Sequence, residues 1–105
     1  MAQLSLNSVI PSEKLTNYLL IRLPKDDKSL FLARGGYGIK NWQQLDRDLR
    51  VQILSLEAEP MENTKYGQKY MIRGSLTGPN GRTLQVKTVW IVTLSETRFV
   101  TLVPD

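Results

Sequence analysis

The apolar positions change their spacing once along this chain, near Ser55. Before that point they recur every three or four residues, and after it they alternate. Leu15, Tyr18, Leu19 and Arg22 fall at i, i+3, i+4 and i+7. One mostly apolar face predicts a helix that begins at Pro11 and ends at Pro24. A second short helix is expected over Lys28 to Arg34, with Leu30, Phe31 and Leu32 as its apolar content. Asp26 or Asp27 is its expected cap, and Gly35-Gly36 its stop. Trp42, Leu45, Leu49, Ile53 and Leu56 predict a third helix, opened by Asn41 with Gln44 three residues on as a loose capping box. Trp42 reads as a packing residue. Gln43, Asp46, Arg47 and Arg50 line the opposite, polar face.

Past Ser55 the alternation predicts strands. Leu56 to Glu59 starts the first, with Pro60 as its end and Glu62 to Lys65 as a turn. Gly67 to Leu76, Arg82 to Leu94 and Arg98 to Val103 are the next three. Met1 to Ile10 reads as either a short edge strand or an extended arm. Helices first and antiparallel strands afterwards predict an α+β fold in one domain, 1–105, with the N-terminal helices packed on one face of a four-stranded antiparallel meander sheet.

One turn specifies a register. In Gly78-Pro79-Asn80-Gly81, proline suits the first central position of a type I turn and asparagine the second. Gly81 then takes positive φ as a bulge. Leu76 then faces Leu84, Gly74 faces Val86, Ile72 faces Thr88, and Tyr70 faces Trp90, all toward the helices. The other face pairs Ser75 with Gln85, Arg73 with Lys87, Met71 with Val89, and Lys69 with Ile91. The last hairpin, turning at Ser95-Glu96, is expected to set Phe99 beside Val92 and Thr101 beside Trp90. Val100 and Leu102 would then join Val89 and Ile91 on the outer face.

Composition narrows the chemistry. The 105 residues hold no cysteine and no histidine. Disulfides, zinc sites and histidine general bases are excluded, so proton transfer falls to Asp, Glu, Lys, Tyr or water. No cofactor and no metal site are expected. The chain has no apolar run near the roughly 18 residues of a membrane span. Its first residues lack the basic and apolar regions of a signal peptide. No membrane and a cytoplasmic location are therefore expected. Gly35-Gly36-Tyr37-Gly38 is not a phosphate loop, because no Gly-Lys-Ser/Thr follows and no strand precedes it.

The net charge of +4 favours polyanions, RNA first, although a charge of that size also simply keeps a small domain soluble. The register sharpens the choice. Arg73 directly opposite Lys87 costs a few tenths of a kcal/mol or more unless something anionic lies over the pair. That anion is either a phosphate backbone or a carboxylate of Glu57 or Glu59 on the neighbouring strand. Arg73 and Lys87 are the candidates to hold a scissile phosphate, with Lys65, Lys69 and Arg98 to position the strand. Thr88 or Thr101 is a candidate phosphate hydrogen-bond partner. Glu57 and Glu59 are the general-base candidates by default. The apolar half of the face, Val89, Ile91, Val100 and Leu102, is the candidate surface for a homodimer or a protein partner.

Several phrases resemble a small bacterial family of unknown function, domain of unknown function six-eight-eight-three. They are Ile10 to Leu20, Tyr66 to Tyr70, Leu76 to Arg82, Thr88 to Val92, and the closing Thr101 with Pro104. The resemblance covers most of the chain from Ile10. The middle departs: the family's Asn-Pro-x-His-Pro stretch reads Arg22 to Asp27 here, and its Lys-Ala-Arg-Phe-Phe run reads Lys28 to Leu32. In outline, the family is similar to ribonuclease toxins of the barnase–EndoU–RelE type. The family itself implies no activity; the leading expectation is a small RNA-binding domain, which the likeness in outline extends to a metal-independent ribonuclease of a toxin or defence module. The alternative is a non-enzymatic interaction module, such as an antitoxin, immunity or accessory protein.

Overall fold

A computed structural model describes residues 2–25 and 27–105 of the chain. Met1 and the Asp26 alternative for the second helix cap lie outside the described residues. Helix α1 runs over Ser12–Lys14 and continues in wider turns over Leu15–Leu19, where the Leu20 N–H reaches back five residues to the Leu15 carbonyl. Helix α2 is Ser29–Ala33. Helix α3 is Trp42–Asp48, continued in the same wider form over Leu49–Ile53. The strands are β1 (Ala2–Gln3), β2 (Glu57–Thr64), β3 (Gly67–Thr77), β4 (Thr83–Val92) and β5 (Thr97–Pro104). Four of them form the expected antiparallel meander, β2 to β5 in chain order, and the short β1 adds to the free edge of β2. The chain is α+β, with its helices before the sheet.

The N-terminal arm touches both edges of that sheet. Ala2 and Gln3 pair with Ala58 and Glu57 on β2, whereas Val9 bridges to Arg98 on β5. The Val9 N–H donates to the Thr97 carbonyl at 2.7 Å and its carbonyl accepts from Phe99 at 2.8 Å. Arg50 of α3 holds the arm by donating to the carbonyls of Leu6 and Ser8. This arm sets α1 beside β5.

The β3–β4 register is the expected one at every pair, from Lys69 with Ile91 to Leu76 with Leu84. The turn causes it. Gly81 has φ +87°, and its N–H donates to the Gly78 carbonyl at 3.0 Å, while the Gly78 N–H donates to Arg82. The turn also docks. Asn80 donates from its side chain to the Arg34 carbonyl and from its backbone to Gly35. A Cβ on Gly78 would stand 1.8 Å from the Gly35 carbonyl oxygen, so only glycine fits that approach.

The inner face carries the core. Leu15, Leu19, Leu45, Leu49 and Ile53 from the helices pack with Ile72, Leu76, Val86, Trp90, Phe99 and Leu102 from the strands. Trp90 and Phe99 meet edge to face at 5.2 Å, a contact worth about 1 kcal/mol beyond burial. Thr88 is fully buried there. It accepts from the Trp90 indole N–H at 2.8 Å and donates to the Ile72 carbonyl.

Several expectations are corrected. Pro60 does not end its strand but sits within β2 opposite Tyr70, next to the register irregularity between Pro60 and Asn63, where a missing donor is tolerated. The turn after it is Lys65-Tyr66 alone. Asn41 does not cap α3 with its side chain: its oxygen accepts from the Gly38 N–H at 2.7 Å, and its amide donates to Gly36. Gln44 donates to Asp48 instead of closing a capping box. Asp27 does serve α2, accepting from the backbone N–H and the hydroxyl of Ser29. A bulge between Val89 and Trp90 shifts the β4–β5 register, so Phe99 faces Trp90, Thr101 faces Val89 and Leu102 faces Thr88. Leu102 is therefore buried in the core and does not belong to an outer apolar patch.

Candidate functional site

The outer face of β3, β4 and β5 is set by strand alternation. Lys69, Ile91 and Arg98 form one row, Met71, Val89 and Thr101 the next, and Arg73, Lys87 and Val103 the third. Rows on one face lie about 7 Å apart. Arg73 and Lys87 are thus direct neighbours, and Lys69 and Arg98 lie two rows away on the same face. Lys65 stands apart in the β2–β3 turn, its ammonium 5.1 Å from the Tyr66 ring centre.

Carboxylates partner three of these cations, and neither Glu57 nor Glu59 is among them. Arg73 lies 3.8 Å from Asp105, Lys69 lies 3.7 Å from Glu62, and Arg98 lies 2.6 Å from Glu96. The Arg73 side chain is 57% exposed and its contact is long. Such a pair contributes about 0–1 kcal/mol, so a phosphate can displace Asp105 at little cost. Among the described residues no carboxylate lies within ion-pair distance of Lys87 or Lys65. Thr88 is removed from the candidates by its burial in the core. Glu57 and Glu59 lie on β2, three strand spacings, about 14 Å, from β5.

A second feature adjoins this face and was not singled out in the sequence. Between α1 and β5 runs an open groove of about 660 Å³, lined by Lys14, Tyr18, Lys28, Arg98 and Thr101, with Glu13 as its carboxylate. Pro11, Val100 and Val103 supply its apolar wall. Tyr18 is its centre. Lys28 donates to the Tyr18 oxygen at 2.6 Å, and the Thr101 hydroxyl lies 3.1 Å from it. The Lys28 ammonium is 4.8 Å and the Lys14 ammonium 5.8 Å from the ring centre. The Lys28 hydrogen bond holds the phenol below its ordinary range. The Thr101 hydroxyl acts in the same direction; burial opposes by less than either hydrogen bond, and the charges of the two lysines add the smallest effects. Thr101 and Arg98 belong to the outer face and the groove alike, so the two surfaces are continuous.

Sequence spacing placed Tyr18 on the apolar stripe of α1. The stripe is real, since Leu15 and Leu19 are buried, but Tyr18 lies at its margin and only half-buried. Its partners lie 10 and 83 residues away. Among the described residues no three Asp or Glu side chains gather as a metal site, and no helix is long and apolar enough to cross a membrane.

Comparison with known proteins finds a likeness of fold and a family. A chain of the contact-dependent growth inhibition toxin–immunity protein complex from Klebsiella pneumoniae 342 superposes with a TM-score of 0.59 and 17% identity, over 94% of each chain. At that identity the likeness is one of fold. No curated protein matches in sequence. The family model of the domain of unknown function DUF6883 matches residues 5–105. The chain belongs to the DUF6883 family.

Proposed function

We propose that the chain is an RNA-binding domain of a bacterial toxin–immunity or related defence module, holding the phosphate backbone across the outer face of β3 to β5. The observation that carries the reading is the cross-strand pair of Arg73 and Lys87 on a face turned away from the helices. Two cations side by side repel each other, and a phosphate relieves that repulsion. Lys69 and Arg98 extend the same face. The fold likeness to a chain of a toxin–immunity complex supports the wider setting.

The test is a salt series of RNA binding. Affinity falls as salt rises, and Arg73→Ala/Lys87→Ala lowers the log–log slope by roughly 1.4, two phosphate contacts at about 0.7 each. No binding at low salt, or a slope unchanged in the double variant, contradicts the reading.

A second reading has its own support. Met71, Val89, Ile91 and Val103 put half-buried apolar side chains among the cations, and the fold neighbour comes from a protein complex. A partner protein with an acidic rim and an apolar centre would match this face. A stable dimer or heterocomplex by light scattering, with no affinity for RNA, would favour it.

A further inference from the structure

Hydrogen-bond donors at the centre of the groove between α1 and β5 outnumber their acceptors. A lysine ammonium carries three N–H groups and a hydroxyl carries one O–H. Lys28 uses one of its three on the Tyr18 oxygen at 2.6 Å. The Tyr18 and Thr101 hydroxyls share one hydrogen bond at 3.1 Å, in which either can donate. One hydroxyl proton and two ammonium protons are left without an acceptor among the described residues. Nor does any described carboxylate lie within ion-pair distance of Lys28 or Lys14.

We propose that this groove binds a small organic carboxylate, with its head on Lys28 and the Tyr18–Thr101 hydroxyls and its apolar body along Pro11, Val100 and Val103. The inference does not depend on RNA binding.

A carboxylate is an acceptor only, with two oxygens and about four lone-pair sites, enough for the three unmatched protons. Lys14, 5.8 Å from the Tyr18 ring centre, adds a second positive charge beside the head. The other charged groups favour a carboxylate over a phosphate. Arg98 is the guanidinium of the lining, the group whose fork best matches phosphate, and Glu96 already holds it at 2.6 Å. Glu13 puts a negative charge in the lining, which repels a dianion more than a monoanion. The wall of Pro11, Val100 and Val103 is half-buried and apolar, so a hydrocarbon body laid on it leaves water and a bare inorganic anion gains nothing from it. The volume of about 660 Å³ lies within the usual ~300–1,000 Å³ of small-molecule sites.

The test is calorimetric titration of the full chain with acetate, benzoate and 4-phenylbutyrate, and with the carboxamide of each. Inorganic phosphate and hexaglutamate are titrated beside them. A Kd below about 5 mM is expected for 4-phenylbutyrate, with affinity rising along the series as the apolar body grows. The carboxamides are expected to bind about tenfold more weakly or worse, because the charge-assisted hydrogen bonds are gone. Lys28→Met is expected to weaken 4-phenylbutyrate about tenfold, and Thr101→Val about threefold. Lys40→Met, outside the groove, is expected to change it less than about twofold. The backbone amide NMR signals that move on binding are expected to belong to α1 and β5. No saturation below about 5 mM, carboxamides that bind as well as the acids, or equal losses in Lys28→Met and Lys40→Met would overturn the inference. Tighter binding of inorganic phosphate would make this a phosphate site instead, and tighter binding of hexaglutamate a seat for an acidic segment of a partner. Either result also overturns it.

Discussion

Among the described residues, two tyrosines have a charged partner within hydrogen-bond distance, and they are pushed in opposite directions. Tyr37 lies buried between α2 and α3 and donates to the Asp48 carboxylate at 2.5 Å, with the Thr77 carbonyl 3.3 Å away. Burial first, and then the hydrogen bond and charge of Asp48, raise its ionisation far above the ordinary phenol value. Tyr18 lies at the rim of the sheet against two lysines, and its ionisation falls. The same side chain is locked as a donor in one place and has its ionisation eased in the other. Partner charge and depth decide which.

The surroundings repeat the contrast. Around Tyr37, polar groups pair within the chain: Gln44 with Asp48, Asn41 with Gly38 and Gly36, and Asn80 with Arg34 and Gly35. That region joins the β3–β4 turn to the helices and is structural. Around Tyr18, cations outnumber carboxylates and the groove is open to solvent.

The largest effect expected from this contrast is at the docked turn. Gly78→Ala drives a methyl into the Gly35 carbonyl, and the turn must leave its seat. Loss of about 3 kcal/mol or more in a urea melt is expected, from overpacking plus the lost turn contacts. A variant as stable as the wild type would show that the docking contributes little. Next is Tyr37→Phe, which leaves the nearly buried Asp48 short of a donor and costs about 1–3 kcal/mol. Tyr18→Phe in the same melt is expected to cost less, about 1 kcal/mol or under, since its hydrogen bonds to Lys28 and Thr101 are only part-buried. Equal losses at the two tyrosines would erase the distinction between them.

The pH dependence follows with its sign. Tyr37 has a raised value in the folded state, so its contribution to stability is complete below the unfolded phenol value near 10 and is lost as pH rises above it. Alkaline unfolding should therefore be less steep in Tyr37→Phe. Tyr18 has a lowered value, so its ionisation favours the folded state above the unfolded value, and that contribution is lost as pH falls through the folded value.

The hairpin was legible in the sequence because its information is local. Gly78-Pro79-Asn80-Gly81 sets the turn, the turn sets the register, and the register places Arg73 against Lys87. The groove was not legible, because no local pattern joins Tyr18 to Thr101. They meet because the Val9 bridge lays α1 along β5 and because the bulge after Val89 turns the register by one residue. The same bulge buries Leu102, which plain alternation had put outside. The partner of Arg73 was missed for a related reason: Asp105 follows the last strand and reaches Arg73 from across β4.

If the lysines of the groove tune Tyr18 toward ionisation, an alkaline titration of phenolate absorbance on the folded protein shows it. One of the four tyrosines is predicted to ionise below the ordinary value of about 10. That early phase should vanish in Tyr18→Phe and move to higher pH in Lys28→Ala. An unchanged titration in both variants, with no phenol ionising early, would contradict the claim.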